Sequence, residues 1–450
     1  MNKVLTMCRC IDLLKNRSHR RHQAKPLTLG PKQTFKVEGL THDARGVARL
    51  NGKVTFIEGA LPGETVEAQI FKTGKGYDEA QLSKIVIASE QRIKPACQHF
   101  NECGGCSFQH LDQLRQLESK QQWMQGQLRK VIGKLPISLL SDKAFEYRRR
   151  ARIAVKVKEG KVLIGFRGKA SKDIVSINQC MILTQPLQTL FSSLKIALLS
   201  DKLAHHIGHL ELLDDDKGVS VTIRLIKVIS PTTTNVWARW AIEHNVDLYW
   251  QQPGSDAADI NDKAPRFYKI EDLILRYHPQ DFIQVNGVLN KKMVAQALEW
   301  LAPSKNDVVL DLFCGVGNFS LPLAANAGQV IGVEVQTSMV AAGIANARLN
   351  KLTNLRFLAA DLTKALSSEL IPFGVTKVLL DPPRAGAFEF LDTLIEIKAK
   401  QILYVSCDVS TLARDAEYLL AKKYKVKKVC MMDMFPQTSH VETMMLFELK

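Results

Sequence analysis

The sequence contains no uninterrupted apolar run of about 18 residues, the length that a membrane-spanning helix needs. Residues 1–23 are basic and lack both the apolar core and the small-residue cleavage site of a signal peptide. Nine cysteines among 450 residues do not suggest a disulfide scaffold. These absences argue against a membrane protein and a disulfide-rich secreted domain, and we expect a cytoplasmic protein.

Acidic residues are in deficit, with 45 Asp and Glu against 61 Lys and Arg, which gives a formal net charge of +16 and a pI of about 9.4. An excess of positive charge indicates which partners a protein binds rather than which fold it has. Phosphates release their counterions to Lys and Arg, so nucleic acid is the favoured partner. A basic enzyme with another substrate is the alternative. A hydrophobic fraction of 46% is that of a globular protein.

The first 90 residues divide into two parts. Residues 1–28 are basic and without apolar periodicity, which is typical of a loosely attached tail. In residues 29–90, short β-rich runs alternate with glycine turns, at 33–40, 46–50, 53–57, 64–71 and 77–87. Five short strands in this space predict a small closed barrel of the OB type. Such barrels often bind single-stranded nucleic acid, although a barrel used only for packing is the alternative.

Four cysteines in residues 91–270 form a candidate metal site: Cys97, Cys103, Cys106 and Cys180. Gly104 and Gly105 allow the chain to wrap closely around a metal centre. Four thiolates suit zinc and an iron–sulfur cluster equally well, and free thiols are a further possibility. The rest of this region mixes strands and helices and includes a basic run, 146–152, that is either a phosphate-binding patch or a solvated edge.

Residues 271–450 alternate between short apolar strands and helical stretches, with strands at 308–312, 330–333, 355–358, 378–380 and 402–405. This alternation predicts a Rossmann-like, doubly wound parallel sheet. Two further strands, 427–432 and 444–449, have no helix between them and predict an antiparallel hairpin at the sheet edge. A parallel sheet that ends in such a hairpin is expected of class I methyltransferases.

The segment 311–318 is a glycine-containing turn after the first of these strands, although Ser320 replaces the third glycine of a full dinucleotide fingerprint. Acidic residues stand at or just after the carboxyl ends of four successive strands: Asp311, Glu334, Asp361 and Asp381. Four acids in one crevice would repel a pyrophosphate, but they suit a cationic sulfonium with an adenosine tail. The alternative is that they are ordinary helix N-caps.

Two segments carry the candidate chemistry. In 381–386, Arg384 stands where enzymes that methylate amines have an aromatic residue after Asp-Pro-Pro. Cys407 follows the fifth strand and precedes a helix, whose N-terminus favours a thiolate. A thiolate that adds to carbon 6 of uracil makes carbon 5 nucleophilic towards a methyl group. Glu442 is the candidate base that then removes the carbon 5 proton.

Five segments resemble the RNA uracil-5-methyltransferase family: 280–286, 311–318, 381–386, 406–408 and 435–442. The stretches 41–48 and 60–64 resemble the TRAM domain of RNA-modifying enzymes. The resemblance implies Cys407 as nucleophile and Glu442 as base. It also implies that the cofactor S-adenosylmethionine is contacted by Gln284, Phe313, Asn318, Glu334, Asp361 and Asp381.

This chain departs from the family pattern at three places. The loop reads Asp-Pro-Pro-Arg where Asp-Pro-Ala-Arg is familiar, and acids replace Asn at Asp361 and Asp408. Both acids keep a hydrogen-bond acceptor, so we do not expect lost activity.

The resemblance also implies a [4Fe-4S] cluster on the four cysteines, since a subset of the family carries one on this pattern. Barrel, cluster and methyltransferase together resemble the members that modify 23S ribosomal RNA. The expected fold is therefore a multidomain α/β protein with an OB-like TRAM barrel at 29–90, a central α+β iron–sulfur domain at 91–270 and a class I methyltransferase domain at 271–450. The alternatives are a tRNA uracil-5- or cytosine-5-methyltransferase and a non-catalytic RNA-binding or assembly factor.

Overall fold

The computed structural model describes residues 29–200, 202–255, 264–362 and 374–450, and the expected basic tail, 1–28, lies outside the described residues. The chain divides into two compact units. The smaller unit ends at Ser89 and omits residues 40–44, and the larger one contains those residues together with Glu90–Lys450.

The smaller unit is a closed barrel with the strand order β1-β2-β3-β5-β4, which confirms the predicted N-terminal barrel. Side chains alternate between interior and surface along β2 and β3, as expected for strands with one buried face. The interior contains Phe35, Val37, Ala48, Ile57 and Val66. The strands are β1 Lys32–Leu40, β2 Arg45–Leu50, β3 Lys53–Glu58, β4 Thr65–Thr73 and β5 Tyr77–Ile87.

A six-stranded sheet follows in the larger unit, with the order β12-β11-β10-β7-β8-β9. One face packs on two helices, α2 Gln185–Ser200 and α3 Pro231–Glu243, around a core that includes Phe191 and Trp237. A short 3-10 helix, Lys202–His205, leads into β10. The strands are β7 Arg150–Lys158, β8 Lys161–Arg167, β9 Ile174–Ser176, β10 Ile207–Asp215, β11 Gly218–Leu225 and β12 Val246–Gln251.

The C-terminal sheet has eight strands in the order β17-β16-β15-β18-β19-β21-β20-β6. Five neighbours from β17 to β19 are parallel, and β21 pairs antiparallel with β19 and β20, as the sequence predicted. Apolar cores lie on both faces. The strands are β15 Val308–Leu312, β16 Gln329–Glu334, β17 Leu355–Ala359, β18 Lys377–Leu380, β19 Gln401–Ser406, β20 Tyr424–Met432 and β21 Glu442–Leu449.

The helices of this sheet are α4 Gly287–Leu301, α5 Ser320–Asn326, α6 Thr337–Leu349, α7 Leu391–Ile397 and α8 Val409–Ala421, with a 3-10 turn at Phe388–Phe390. The β13 Arg266–Ile270 and β14 Leu273–Tyr277 hairpin packs into the same core as α4 through Tyr268 and Leu275. Among the described residues, no helix has both the length and the apolar character needed to cross a membrane.

Two elements from the earlier part of the chain also belong to the C-terminal sheet, which the sequence analysis did not foresee. Helix α1, Gln113–Ile132, packs its buried face against α8 and one of the sheet's cores. Strand β6, Ile137–Leu140, then pairs parallel with β20 and forms the sheet edge. Residues 113–140 therefore connect the cysteine-containing segment directly to the strands that carry the candidate site.

Candidate active site

Cys407 lies at the junction between β19 and α8. Strand β19 ends at Ser406, and Asp408 caps the helix by accepting hydrogen bonds from the amides of Ser410 and Thr411 at 2.9 and 3.1 Å. An Asp at this position satisfies amides that have no partner within the helix. The thiol is consequently held at the carboxyl end of the strand, with a helix N-terminus directly behind it.

Glu442 is the first residue of β21, which runs antiparallel to β19. Ser406 pairs with Thr443, so the next opposing positions along the two strands are those of Cys407 and Glu442. Residues that oppose each other in antiparallel strands have Cα atoms only about 4.5–5.5 Å apart. The structure therefore brings together the sulfur and the carboxyl group that the sequence analysis placed at one site.

The pKa values of both groups are raised. Burial and the nearby Glu442 and Asp381 raise the pKa of the Cys407 thiol to about 11, although Arg384 lowers it in part. Burial, followed by Asp381, raises the pKa of Glu442 to about 8, and Arg384 again opposes the shift. The expected preference for a thiolate at the helix N-terminus is thus outweighed in the free protein by burial and by two acids.

The cofactor loop after β15 has an unusual backbone. Phe313, Gly315 and Gly317 all have positive φ, at 61°, 55° and 101°. A Cβ on Gly317 would lie 2.3 Å from the Leu321 side chain, whereas a Cβ on Gly315 would meet no atom within 4 Å. A side chain at Gly317 would be strained at this φ and would have to displace Leu321, whereas the backbone at Gly315 faces open space that a ligand can approach. A phenylalanine held at positive φ stores strain of the kind found in binding loops.

The acids at the strand ends have different partners. Glu334 accepts hydrogen bonds from the amides of Gly315 and Gln336 at 3.2 and 3.0 Å, which joins β16 to the cofactor loop. The side chain of Asp311 is fully buried and accepts a hydrogen bond from the Ser320 hydroxyl, while no described residue donates to its other oxygen. Burial raises the pKa of Asp311 to about 7, and Asp381 contributes to that shift.

Asp381 itself is half-buried beside these groups, and burial raises its pKa to about 7 as well. None of Asp311, Glu334 and Asp381 caps a helix among those described, so the N-cap alternative does not account for them. A cation bound beside Asp311 and Asp381 would lower both raised pKa values and favour the carboxylate forms.

The remaining predicted cofactor residues lie on three loops, before α4, after β15 and after β17. Gln284 precedes α4 and is half-buried. Its backbone carbonyl accepts a hydrogen bond of 2.8 Å from Arg149 Nε. Asn318 exchanges two hydrogen bonds with Asn290 and accepts a third from the Tyr268 hydroxyl. Its amide therefore fixes the loop against α4 and β13. Asp361 is half-buried and follows β17. It lies two residues after Ala359, the residue that pairs with Glu334 in the sheet.

Tyr268 and Asn290 are residues that sequence reasoning missed. Both support Asn318 from positions 50 and 28 residues away in the chain. No local pattern marks them, because a tyrosine in a strand and an asparagine in a helix are ordinary.

All four candidate metal cysteines line one cavity of about 230 Å³ in the larger unit. The chain around Cys103 is fixed to the end of β8, where Gly104 donates to the Arg167 carbonyl at 2.9 Å. Burial raises the pKa of Cys106 to about 11 and that of Cys180 to about 12, and the neighbouring Cys103 and Cys97 add to both shifts. Within the described part of the chain, no three His, Cys, Asp or Glu side chains converge on a single ion position.

A parallel sheet with an antiparallel final strand, a strained glycine loop and acids at the strand ends defines an S-adenosylmethionine-dependent methyltransferase of class I. The family model described as tRNA (Uracil-5-)-methyltransferase matches residues 112–450, and the TRAM domain model matches residues 26–82. The chain belongs to this uracil-5-methyltransferase family, which confirms the resemblance found in the sequence.

Curated relatives extend over nearly the whole chain. The 23S rRNA (uracil(1939)-C(5))-methyltransferase RlmD of Marinomonas sp. (strain MWYL1) is 60% identical over 427 residues, which cover 95% of this chain and 97% of the relative. RlmD of Marinomonas posidonica is 57% identical and covers 97% of this chain and 99% of the relative. Pyrococcus abyssi tRNA (uracil-54, C5)-methyltransferase, solved with S-adenosyl-L-homocysteine, has the same fold, with a TM-score of 0.74 and 24% identity over 92% of this chain and 100% of that one.

Proposed function

We propose that this protein transfers a methyl group from S-adenosylmethionine to carbon 5 of a uridine in 23S ribosomal RNA. The adjacency of Cys407 and Glu442 across β19 and β21 carries the chemical part of this proposal. The choice of RNA is supported by the names of relatives at 57–60% identity, which cover both chains almost completely. The net charge of +16 agrees with a polyanionic substrate.

Each candidate side chain has a distinct part in this mechanism. The thiol of Cys407 gives its proton to solvent, and the thiolate adds to carbon 6 of the uracil, so that the electrons of the C5–C6 double bond move onto carbon 5 and the conjugated carbonyl. Carbon 5 then attacks the methyl group that S-adenosylmethionine supplies; the S–CH3 bond breaks with its electrons on sulfur, and S-adenosylhomocysteine leaves. Glu442 then removes the carbon 5 proton; the C–H electrons restore the ring double bond, and the Cys407 sulfur leaves as a thiolate.

The raised pKa of Glu442 suits a general base, whereas the raised pKa of Cys407 opposes thiolate formation in the free protein and must be offset by positive charge. Glu442, with a pKa of about 8, exchanges its proton near neutral pH, as a general base should. Arg384 lowers the pKa of both reacting groups and thus favours the thiolate and the carboxylate. The bound sulfonium adds a second positive charge beside Asp381, which acts in the same direction.

We assign the cofactor contacts to the loops around the same crevice. In this assignment Glu334 binds the ribose hydroxyls, Asp361 binds the adenine amino group, and Asp381 lies on the sulfonium side. Gln284, Phe313 and Asn318 complete the set, and the hydrogen bonds of Asn318 to Asn290 hold its loop in place. The raised pKa values of Asp311 and Asp381 support a cationic ligand.

The cysteine cavity fits a [4Fe-4S] cluster. Four thiols around about 230 Å³ offer the donor set that iron–sulfur clusters use, and the cavity has room for more than one ion. Cys97, Cys103, Cys106 and Cys180 would hold the cluster, which would order the loop between β5 and α1. The methyl transfer requires no redox step. An enzyme of ribosomal RNA with such a cluster is expected in the cytoplasm, where thiols stay reduced.

The division into a barrel (29–90), a central region (91–270) and a methyltransferase region (271–450) remains our working description. Residues 113–140 and strand β13 are exceptions: the former pack with the C-terminal sheet, and β13 pairs with β14 and packs into one of the cores of that sheet.

Mass mapping of 5-methyluridine in ribosomal RNA and tRNA from cells that lack the gene tests the proposed function. We expect loss of one 5-methyluridine from 23S ribosomal RNA and an unchanged tRNA pattern. Restoration by the wild-type gene, but not by Cys407→Ala, completes the test. Loss of 5-methyluridine from tRNA alone would contradict the assignment to ribosomal RNA.

A further inference from the structure

The chain between β20 and β21 leads directly to Glu442, and we call residues 433–441 the approach loop. Four successive carbonyl groups of this loop are bound by four different segments. Met434 accepts from Asn286 at 3.4 Å, Phe435 from Lys120 at 3.2 Å and Pro436 from the Tyr147 hydroxyl at 3.0 Å. Backbone groups buried away from water need such partners, but most loops obtain them locally.

Gln437 is the fourth and most constrained of these residues. Its carbonyl accepts from the amides of Ser107 and Phe108 at 2.9 and 3.1 Å, and these amides directly follow Cys106. Its side-chain oxygen accepts from Gln116 of α1 at 3.0 Å. Gln437 is only 3% exposed and has a φ of 66°, a conformation that a non-glycine residue keeps only when its surroundings impose it.

A buried ion pair holds the start of the same loop. Lys120 Nζ lies 2.6 Å from Asp433 Oδ1, and both side chains are at most 4% exposed. Burial lowers the pKa of Lys120, and Asp433 opposes that shift. The amide of Asp433 donates to the Leu140 carbonyl of β6 at 2.9 Å. A buried pair is costly to form and costly to break, so it fixes one arrangement of the chain.

We infer that this network positions Glu442 for proton removal, with Tyr147 and Gln116 as positioning residues in the part of the chain before the methyltransferase strands. The inference rests on the proposed function, in which Glu442 is the base. A strand residue can be placed to within a few tenths of an ångström only if the chain entering the strand is fixed. The residues that fix it lie on the segment after Cys106, on α1 and just before β7.

The inference separates two steps of the reaction. Attack by Cys407 and methyl transfer do not require Glu442, whereas loss of the carbon 5 proton does. A displaced base therefore slows proton loss more than methyl transfer, and the methylated covalent adduct accumulates. A network that only stabilises the fold would reduce both steps together.

Two matched variants distinguish these cases. Tyr147→Phe removes one buried hydroxyl that donates to the Pro436 carbonyl of the approach loop. Tyr424 begins β20, at the end of the strand far from the approach loop. Tyr424→Phe removes one buried hydroxyl, which donates a hydrogen bond of 2.9 Å to the Ala399 carbonyl. The two changes delete the same atoms and the same kind of hydrogen bond, but only the first touches the loop. Gln116→Leu, with the exposed Gln125→Leu on the same helix as control, provides a second pair.

The measurement uses the full-length protein, S-adenosylmethionine with a labelled methyl group and RNA with tritium at carbon 5 of uridine. Single-turnover experiments compare methyl transfer with tritium release, and denaturing gels measure the covalent adduct. For Tyr147→Phe and Gln116→Leu we expect the rate of tritium release to fall about tenfold relative to methyl transfer, with accumulated adduct. Visible absorbance of each variant controls for the metal content.

Equal slowing of both steps in Tyr147→Phe and Gln116→Leu would overturn the inference and leave a structural role. An altered ratio in Tyr424→Phe or Gln125→Leu would do the same, because neither touches the loop. Failure of the proposed function would look different: the wild-type protein itself would then transfer no methyl group and release no tritium.

Discussion

Cys407 and Glu442 lie opposite each other, one position beyond the Ser406–Thr443 pair of the antiparallel strands β19 and β21. They are 35 positions apart in the chain. The thiol follows β19 and the carboxyl group begins β21, so a single sheet register sets their separation. Both groups have raised pKa values, and Glu442 contributes to the shift of Cys407. Under the proposed function, this adjacency places a nucleophile and a base at the same pyrimidine ring.

Arg384 should set the pH dependence of the reaction. It lowers the pKa of both Cys407 and Glu442, so the variant Arg384→Met should raise both values and shift the rising limb of the pH–rate profile to higher pH. The charge-conserving Arg384→Lys should move the profile less. Single-turnover rates from pH 6 to 10 measure the shift, in roughly the range where these groups titrate. An identical profile for Arg384→Met and the wild type would contradict this role.

Binding of S-adenosylmethionine should release protons at neutral pH. Asp381 has a pKa of about 7 in the free protein, and a sulfonium beside it favours the carboxylate. The release should approach about half a proton per molecule bound at pH 7 and decline as the pH rises towards 9. Calorimetry in buffers of different ionisation enthalpy measures it. Uptake of protons would contradict the proposed position of the sulfonium.

Asp311→Asn should stabilise the protein increasingly as the pH rises. Burial raises the folded-state pKa of Asp311 to about 7 from its ordinary value of 3.8. Ionising this buried carboxyl group therefore costs free energy of folding, and that cost grows as the pH rises towards 7. Between pH 5 and 8 the variant should gain on the order of 2–3 kcal/mol in the free energy of unfolding relative to wild type.

Asp307→Asn is the control for this measurement, since Asp307 stands just before the same strand. Burial opposes its ionisation, but hydrogen bonds from Thr376 and Ser304 lower its pKa to about 2. Its replacement should therefore give no such gain with pH. Denaturant unfolding at several pH values measures both variants, and a gain for Asp311→Asn that does not change with pH would contradict the assigned pKa.

The cysteine cavity should hold iron rather than zinc. Protein purified without oxygen should be brown, with visible absorbance from thiolate-to-iron transitions and about four iron atoms per chain. Cys106→Ser and Cys180→Ser should lose this absorbance, whereas Cys430→Ser, a buried cysteine of β20, should keep it. A colourless protein with one zinc ion per chain would refute the cluster.

The sequence was sufficient for the elements whose residues signal their own structure. The parallel strands follow from apolar runs between helical stretches, and the N-terminal barrel follows from alternating residues between glycine turns. The helix after Cys407 begins at Val409, because Asp408 is a strong cap whatever the rest of the fold. These features depend on neighbours a few residues away.

What the sequence could not predict depends on distant partners. Strand β6 is four residues long, and nothing in Ile137–Leu140 indicates that it completes a sheet begun at Val308. The positive φ of Gln437 is equally hidden, since contacts from residues 107, 108 and 116 impose it. The raised pKa of Cys407 was missed as well, because the helix N-terminus is visible in the sequence whereas burial beside Glu442 and Asp381 is not.

Trapping of the covalent adduct tests the central claim most directly. With RNA that contains 5-fluorouridine, fluorine replaces the proton that Glu442 would remove, so the methylated adduct cannot break down. We predict a stable protein–RNA complex whose proteolysis yields the peptide of Cys407 linked to a methylated fluorouridine, and no complex with Cys407→Ala. Undiminished methylation of ordinary RNA by Cys407→Ala, or a crosslink at another residue, would contradict the account.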